Sequence, residues 1–173
     1  MDVLKVITST AFLFSIIRVT TPLLYGSLSS LMSELSGVSN IGIEGMMLTC
    51  ALTGVLSSAF FGGNAWIGLL VAMLVGTGLG LLMCFLITKL KTDAIITGIA
   101  YNLTASGLTV FLLYLAVGEK GISSSLVSGV LPSVKIPLID KIPVLGAIIS
   151  GHNILTYVAV LLVIAISIFL YKT

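Results

Sequence analysis

Between Ile7 and Tyr171 the chain carries five apolar stretches, each close to the length that crosses a bilayer, with almost no charge inside them. They run approximately from Ile7 to Met32, Ile43 to Phe61, Ile67 to Thr88, Ala94 to Val117 and Ile154 to Tyr171. A hydrocarbon core about 30 Å thick takes roughly 20 residues of helix to cross. Inside it the backbone finds no water, so every N–H and C=O must pair within the protein, which leaves helices or a closed barrel. Barrel strands alternate polar with apolar residues, and runs such as Tyr157 to Leu170 do not. The expected fold class is all-α: a polytopic transmembrane helix bundle of about five spans, with residues 1–173 forming a single transmembrane domain.

Composition excludes the main alternatives. Hydrophobic residues make up 58% of the 173 and charged residues 8%, against about 25% charged in soluble domains. The 8 basic and 6 acidic side chains give a formal charge of +2, too few for the basic face that nucleic acid requires. Lipid is the expected surrounding and nucleic acid is not an expected partner. Cys50 and Cys84 both fall in apolar runs, where a thiol serves as a small hydrophobe. The segment after Lys5 contains Arg18 and runs past signal-peptide length without a clear A-x-A site, so it reads as a retained first span.

Three connections are short, Ser33 to Gly42, Gly62 to Trp66 and Lys89 to Asp93, whereas Gly118 to Asn153 is long. The long loop holds Pro132, Pro137, Pro143 and the run Ser123, Ser124, Ser125; its apolar piece from Ile142 to Ile149 is too short to span and suits the interface. Basic residues near span ends orient membrane proteins. Lys89 and Lys91 crowd one short loop, and Lys172 lies on the same side if all five spans cross; Lys120, Lys135 and Lys141 are spread through the long loop. Density places Lys89 and Lys91 in the cytoplasm, with residues 118–153 as an extracytoplasmic loop.

Charged and polar residues inside spans are the informative exceptions, because a charge at a helix centre costs about 2.5–3.5 kcal/mol on insertion scales. Arg18 shares a helix face with Ser15, Pro22, Tyr25 and Ser29. It either points into the bundle or a water-filled route, or snorkels from a helix whose apolar core begins near Val19. Asn102, with Gly98, Ser106 and Thr109 on its face, either packs helices together or lines a solute path. Gly76 and Gly80 form a G-x-x-x-G packing face; Gly76-Thr-Gly-Leu-Gly80 lacks the third glycine and the strand-to-helix setting of a dinucleotide fingerprint. Asn102-Leu-Thr104 matches a glycosylation sequon but lies within a span. There is no G-x-x-x-x-G-K-[ST], no H-E-x-x-H and a single histidine, His152. The chain is thus expected not to be an enzyme and to hold no metal or cofactor of its own.

The most distinctive segment is Ser36-Gly-Val-Ser-Asn-Ile-Gly-Ile-Glu-Gly-Met-Met47. Gly37, Gly42 and Gly45 permit tight turns and close helix approach, and Glu44 near a helix N-terminus complements its dipole. This segment resembles the N-I-G-x-E-G-M-M stretch of bacterial ABC transporter permeases related to ribose and branched-chain amino acid permeases, and within them the nucleoside and simple-sugar branch. Arg18-Val-Thr-Thr-Pro-Leu-Leu24 precedes it; Asp93-Ala-Ile-Ile-Thr-Gly-Ile-Ala-Tyr-Asn-Leu103, Ile142-Pro-Val-Leu-Gly146 and Gly151-His-Asn153 follow in the matching order.

The resemblance implies a multi-pass subunit of the bacterial cell membrane that pairs with a second permease subunit. It would sit on ABC ATPase subunits, where ATP would be bound, and receive solute from an extracytoplasmic solute-binding protein. Asn40, Glu44 and Asn102 stand at positions matching the family's motifs, and with Arg18, Ser106 and Thr109 they are the candidates for a substrate path. Members of the family continue beyond the span 154–171 into a cytoplasmic segment that docks on the ATPase, so the chain is expected to correspond to their N-terminal half. Two other readings remain open from the residues: a gradient-driven carrier or channel, which should show acids in mid-span, and a non-transporting membrane scaffold held by G-x-x-x-G faces.

Overall fold

A computed structural model describes residues 9–118, 126–134 and 150–172. Its helices are α1 (Thr10–Leu35), α2 (Ile43–Phe60), α3 (Ala65–Thr88), α4 (Ala94–Val117) and α5 (Ile154–Lys172). Each is long and apolar enough to cross a membrane. The only pairing of strand type among the described residues is an isolated bridge between Ser133 and Asn153. The chain is therefore an all-helical, multi-pass membrane protein. Ile7, Lys120, Ser123 to Ser125, Lys135, Pro137, Lys141 and residues 142–149 lie outside the described residues.

The ends of the helices have local causes. α1 runs to Leu35 rather than Met32 because its stop signal comes later, at Gly37, which adopts φ +83°. Val38 N–H donates to the carbonyl of Ser33 (3.2 Å) and Gly37 N–H to that of Glu34 (3.0 Å), the paired bonds of a Schellman cap. α3 starts at Ala65 because Asn64 Oδ1 accepts from Trp66 N–H at 3.0 Å. α4 starts where Asp93 Oδ1 accepts from Ile95 and Ile96 N–H at 2.9 and 3.0 Å, and stops at Gly118, φ +79°. In α1, Pro22 supplies no N–H to the carbonyl of Arg18. In the turn around it, the Thr20 and Thr21 hydroxyls donate to the carbonyls of Ile16 and Ile17 at 2.8 and 2.9 Å.

The residues fall into two compact units, one comprising Ser29–Val130 and the other the residues up to Leu28 together with those from Leu131 onward. In the Ser29–Val130 unit, α2 and α3 touch where Gly68 meets Gly54: a Cβ on Gly68 would stand 2.6 Å from the Gly54 carbonyl oxygen. Tyr101 of α4 reaches α3 by donating its hydroxyl to the Leu79 carbonyl at 3.2 Å. The segment 126–130 returns over the α2–α3 turn, where Gly129 N–H donates to the buried Ser58 hydroxyl at 3.0 Å. A side chain at Gly129 would overlap the Gly63 carbonyl oxygen. Outward faces are apolar: Leu74 is 73% exposed, Ile96 70% and Leu103 69%, which water would penalise and lipid does not.

In the second unit, Phe14 of α1 stacks on His152, with ring centroids 4.0 Å apart. The Thr156 hydroxyl pairs with Thr21 Oγ1 at 3.2 Å, which accepts because its own proton goes to the Ile17 carbonyl, and the Tyr25 hydroxyl donates to the Leu155 carbonyl at 2.8 Å. Positions 14, 21 and 25 recur at helical spacing, so one face of α1 makes all these contacts, with His152 ahead of α5 and with the first turn of α5. The short piece 131–134 joins them: Val134 N–H donates to the His152 carbonyl (3.0 Å), and Gly151 N–H to that of Val134 (3.1 Å).

Candidate solute-path site at the start of the second helix

The polar candidates divide between the two units. Arg18 lies on α1, one turn from Phe14 and from Thr21 and Pro22, and is exposed. It stands on the same helix face as Tyr25, and no ion pair joins it to another described residue. The other five, Asn40, Glu44, Asn102, Ser106 and Thr109, belong to the Ser29–Val130 unit; the first four gather where α4 crosses the entry to α2, and Thr109 lies two turns beyond Asn102 along α4.

That crossing is made by glycine. A Cβ on Gly45 would come within 2.9 Å of both Ala105 Cβ and the Tyr101 carbonyl oxygen, and one on Gly98 within 2.9 Å of Gly42 N. Backbone thus meets backbone. Asn102 bolts the contact: its Oδ1 accepts from Gly45 N–H at 2.8 Å and its Nδ2 donates to the Ile41 carbonyl at 3.0 Å. Gly45 N–H is one of the first-turn donors that a helix leaves unpaired, and Gly42, the N-cap, supplies no side chain to meet it. A side chain from 57 residues downstream does so instead.

Asn40 shapes the approach rather than facing a cavity, since its Oδ1 accepts from Gly42 N–H at 3.0 Å to close a local turn. Thr109 is buried and donates back to the Ala105 carbonyl at 2.6 Å. Glu44 and Ser106 remain open. Together with Gly45, Leu48, Asn102 and Leu103 they line a cleft of about 220 Å³ between α2 and α4. Ser106 Oγ donates to the Leu103 carbonyl at 2.9 Å, which leaves its oxygen free to accept.

On the third helix, a Cβ at Gly76 would meet Cys50 Sγ at 3.0 Å, whereas one at Gly80 would meet nothing within 4 Å. The close contact of α3 with α2 centres on Gly54 and Gly68, a pair that the sequence reading did not single out. Gly68 stands eight residues before Gly76, on the same α3 face, so extending the small-residue register backward would have found it. A larger apolar cleft of about 640 Å³ lies among α2, α3 and α4. Among the described residues no group of His, Cys, Asp and Glu is arranged to hold a metal ion.

Residues 12–173 match the family described as branched-chain amino acid transport system, permease component. The chain is 35% identical over 158 residues to the guanosine ABC transporter permease protein NupQ of Bacillus subtilis (strain 168), covering 88% of this chain and 49% of that protein. It is 29% identical over 178 residues to the nucleoside ABC transporter permease protein NupC of Lactococcus lactis subsp. cremoris, covering 99% and 54%. A Haloferax volcanii protein provisionally named a glucose ABC transporter permease is 32% identical over 161 residues, 91% of this chain and 46% of its own length. The chain spans about half the length of the curated relatives it matches. No solved structure matches it.

Proposed function

Because the chain belongs to the branched-chain amino acid transport system permease family, we propose that it is a membrane-spanning subunit of an ABC importer for nucleosides or simple sugars. The observation that carries the solute class is the likeness, over 88–99% of this chain, to permeases named for guanosine and for nucleosides. ATP is hydrolysed on separate ATPase subunits. A second permease subunit completes the pore, and an extracytoplasmic binding protein delivers solute at the bacterial cell membrane. The loop 89–93 faces the cytoplasm and residues 118–153 face outward.

Within the subunit, the cleft beside Glu44 and Ser106 is the part of the candidate path with polar atoms left to offer. Asn102 holds the wall of that cleft, Asn40 closes the turn at the entry to α2, and Thr109 is buried further along α4. Arg18 is the candidate on the other unit. Alternating access requires that nucleotide bind two states differently and that the difference reach these helices through a contact surface. The test is uptake of labelled nucleosides and simple sugars into proteoliposomes holding the importer assembled around this chain. ATP-dependent uptake is the expected result. Uptake by this chain alone, without ATP, would instead identify a carrier or channel.

A further inference from the structure

We propose that the Glu44 carboxylate, with the Ser106 hydroxyl beside it, selects solutes by their vicinal hydroxyl pair, the ribose 2′,3′-diol of a nucleoside or the equivalent pair on a hexose. The inference rests on the importer reading and names the chemical feature recognised at that site. Its starting point is the inventory of free polar atoms in the 220 Å³ cleft between α2 and α4.

Glu44 is the second residue of α2 and is exposed. No hydrogen bond or ion pair engages its carboxylate among the described residues, so both oxygens accept and neither donates. Ser106 spends its proton on the Leu103 carbonyl and offers oxygen lone pairs. Asn102 spends one N–H and one lone pair on the backbone of Ile41 and Gly45. Apart from the second N–H of Asn102, the side chains of the cleft offer acceptors, and its complement is a neutral solute with closely paired donors. Two O–H groups on adjacent carbons match the two carboxylate oxygens, while a phosphorylated sugar or nucleotide meets repulsion. Leu48 and Leu103 supply apolar surface for the C–H face of a ring. Size points the same way: sites that enclose a drug-sized ligand measure about 300–1,000 Å³, so this cleft takes one ring at a time, and the diol lies on the sugar ring.

The experiment uses the assembled importer in proteoliposomes with one and the same binding protein throughout. That protein's own preference then cancels when variants are compared. Uptake is measured for guanosine, for 2′,3′-dideoxyguanosine, which lacks the diol, and for inosine, which lacks the 2-amino group of the base. The ratio of guanosine to dideoxyguanosine uptake should fall about tenfold in Glu44→Gln, the scale of a hydrogen bond to a charged group. It should fall a few-fold in Ser106→Ala, an exposed position whose truncation leaves the fold intact, so a Glu44→Gln protein that fails to assemble still leaves a decisive arm. The guanosine to inosine ratio should stay constant. Equal loss for all three solutes would make Glu44 a structural residue and overturn the proposal, as would a change in the inosine ratio, which would assign the carboxylate to the guanine edge. Absence of ATP-dependent uptake by the unsubstituted importer is a separate outcome, and it would overturn the importer reading together with this one.

Discussion

Replacing Gly45 by alanine tests whether the α2–α4 crossing is a contact between backbones. The new methyl would sit 2.9 Å from Ala105 Cβ, 2.9 Å from the Tyr101 carbonyl oxygen and 3.0 Å from Asn102 Cα. Carbon atoms pack best at about 3.5–4.0 Å, and backbone atoms cannot turn aside as a flexible side chain can. The helices must part by roughly 0.6–1 Å, which stretches the 2.8 Å bond from Gly45 N–H to Asn102 Oδ1 to the edge of hydrogen-bonding range. Overpacking costs about 1–3 kcal/mol and the weakened bond about 1 kcal/mol. Alanine's better helix propensity offsets about 1 kcal/mol of this, leaving a net loss of about 1–3 kcal/mol. Gly80 is the control: with nothing within 4 Å, Gly80→Ala should be neutral or gain up to about 1 kcal/mol. Thermal unfolding of both variants in the same detergent should separate them by roughly 2–16 °C, at about 2–4 °C per kcal/mol on the scaling of soluble domains of this size. A Gly45→Ala protein that melts as high as Gly80→Ala would refute the close crossing.

Three further outcomes follow from named contacts. Asn102→Leu strands Gly45 N–H and the Ile41 carbonyl at about 1–3 kcal/mol each, so the yield of monodisperse protein on size-exclusion chromatography should fall; full yield with lost solute uptake would instead make Asn102 a solute ligand. Gly76→Leu should destabilise the chain, because its side chain runs into Cys50 Sγ, while Gly80→Leu should leave the isolated chain's melting temperature unchanged; equal losses would place a neighbouring helix over Gly80. Single cysteines at Lys91 and Ser124, in a background without Cys50 and Cys84, should be labelled by an impermeant thiol reagent on intact cells at Ser124 and not at Lys91, and the opposite pattern would invert the topology.

The spans were legible because their cause is local: length and continuous apolarity suffice, and four of five predicted stretches agree with the helices to within about two residues. The first ended late because the apolar pattern fades at Met32 whereas the stop signal is the left-handed glycine at 37. The roles of the polar residues needed information that one helix does not contain. Gly98, Asn102, Ser106 and Thr109 share a face in any wheel drawn from the sequence, and both packing and lining a path are consistent with that stripe. What separates them is the partner across the contact. Gly98 turns against the backbone of Ile41 and Gly42, Asn102 reaches the first turn of α2, Ser106 stands just beyond the contact where the cleft opens, and Thr109 is buried with its hydroxyl bonded back to its own helix. A hint did exist in the sequence. Three glycines in nine residues across the start of a helix without a capping side chain mean an N-terminus that another element must both approach closely and satisfy. An amide in mid-span, flanked one turn away by glycine on one side and a small residue, Ala105, on the other, has the size and the donor and acceptor to do both. Reading Gly42, Gly45, Gly98 and Asn102 as one crossing accounts for the packing, and leaves Glu44 as the carboxylate with no structural bond assigned to it.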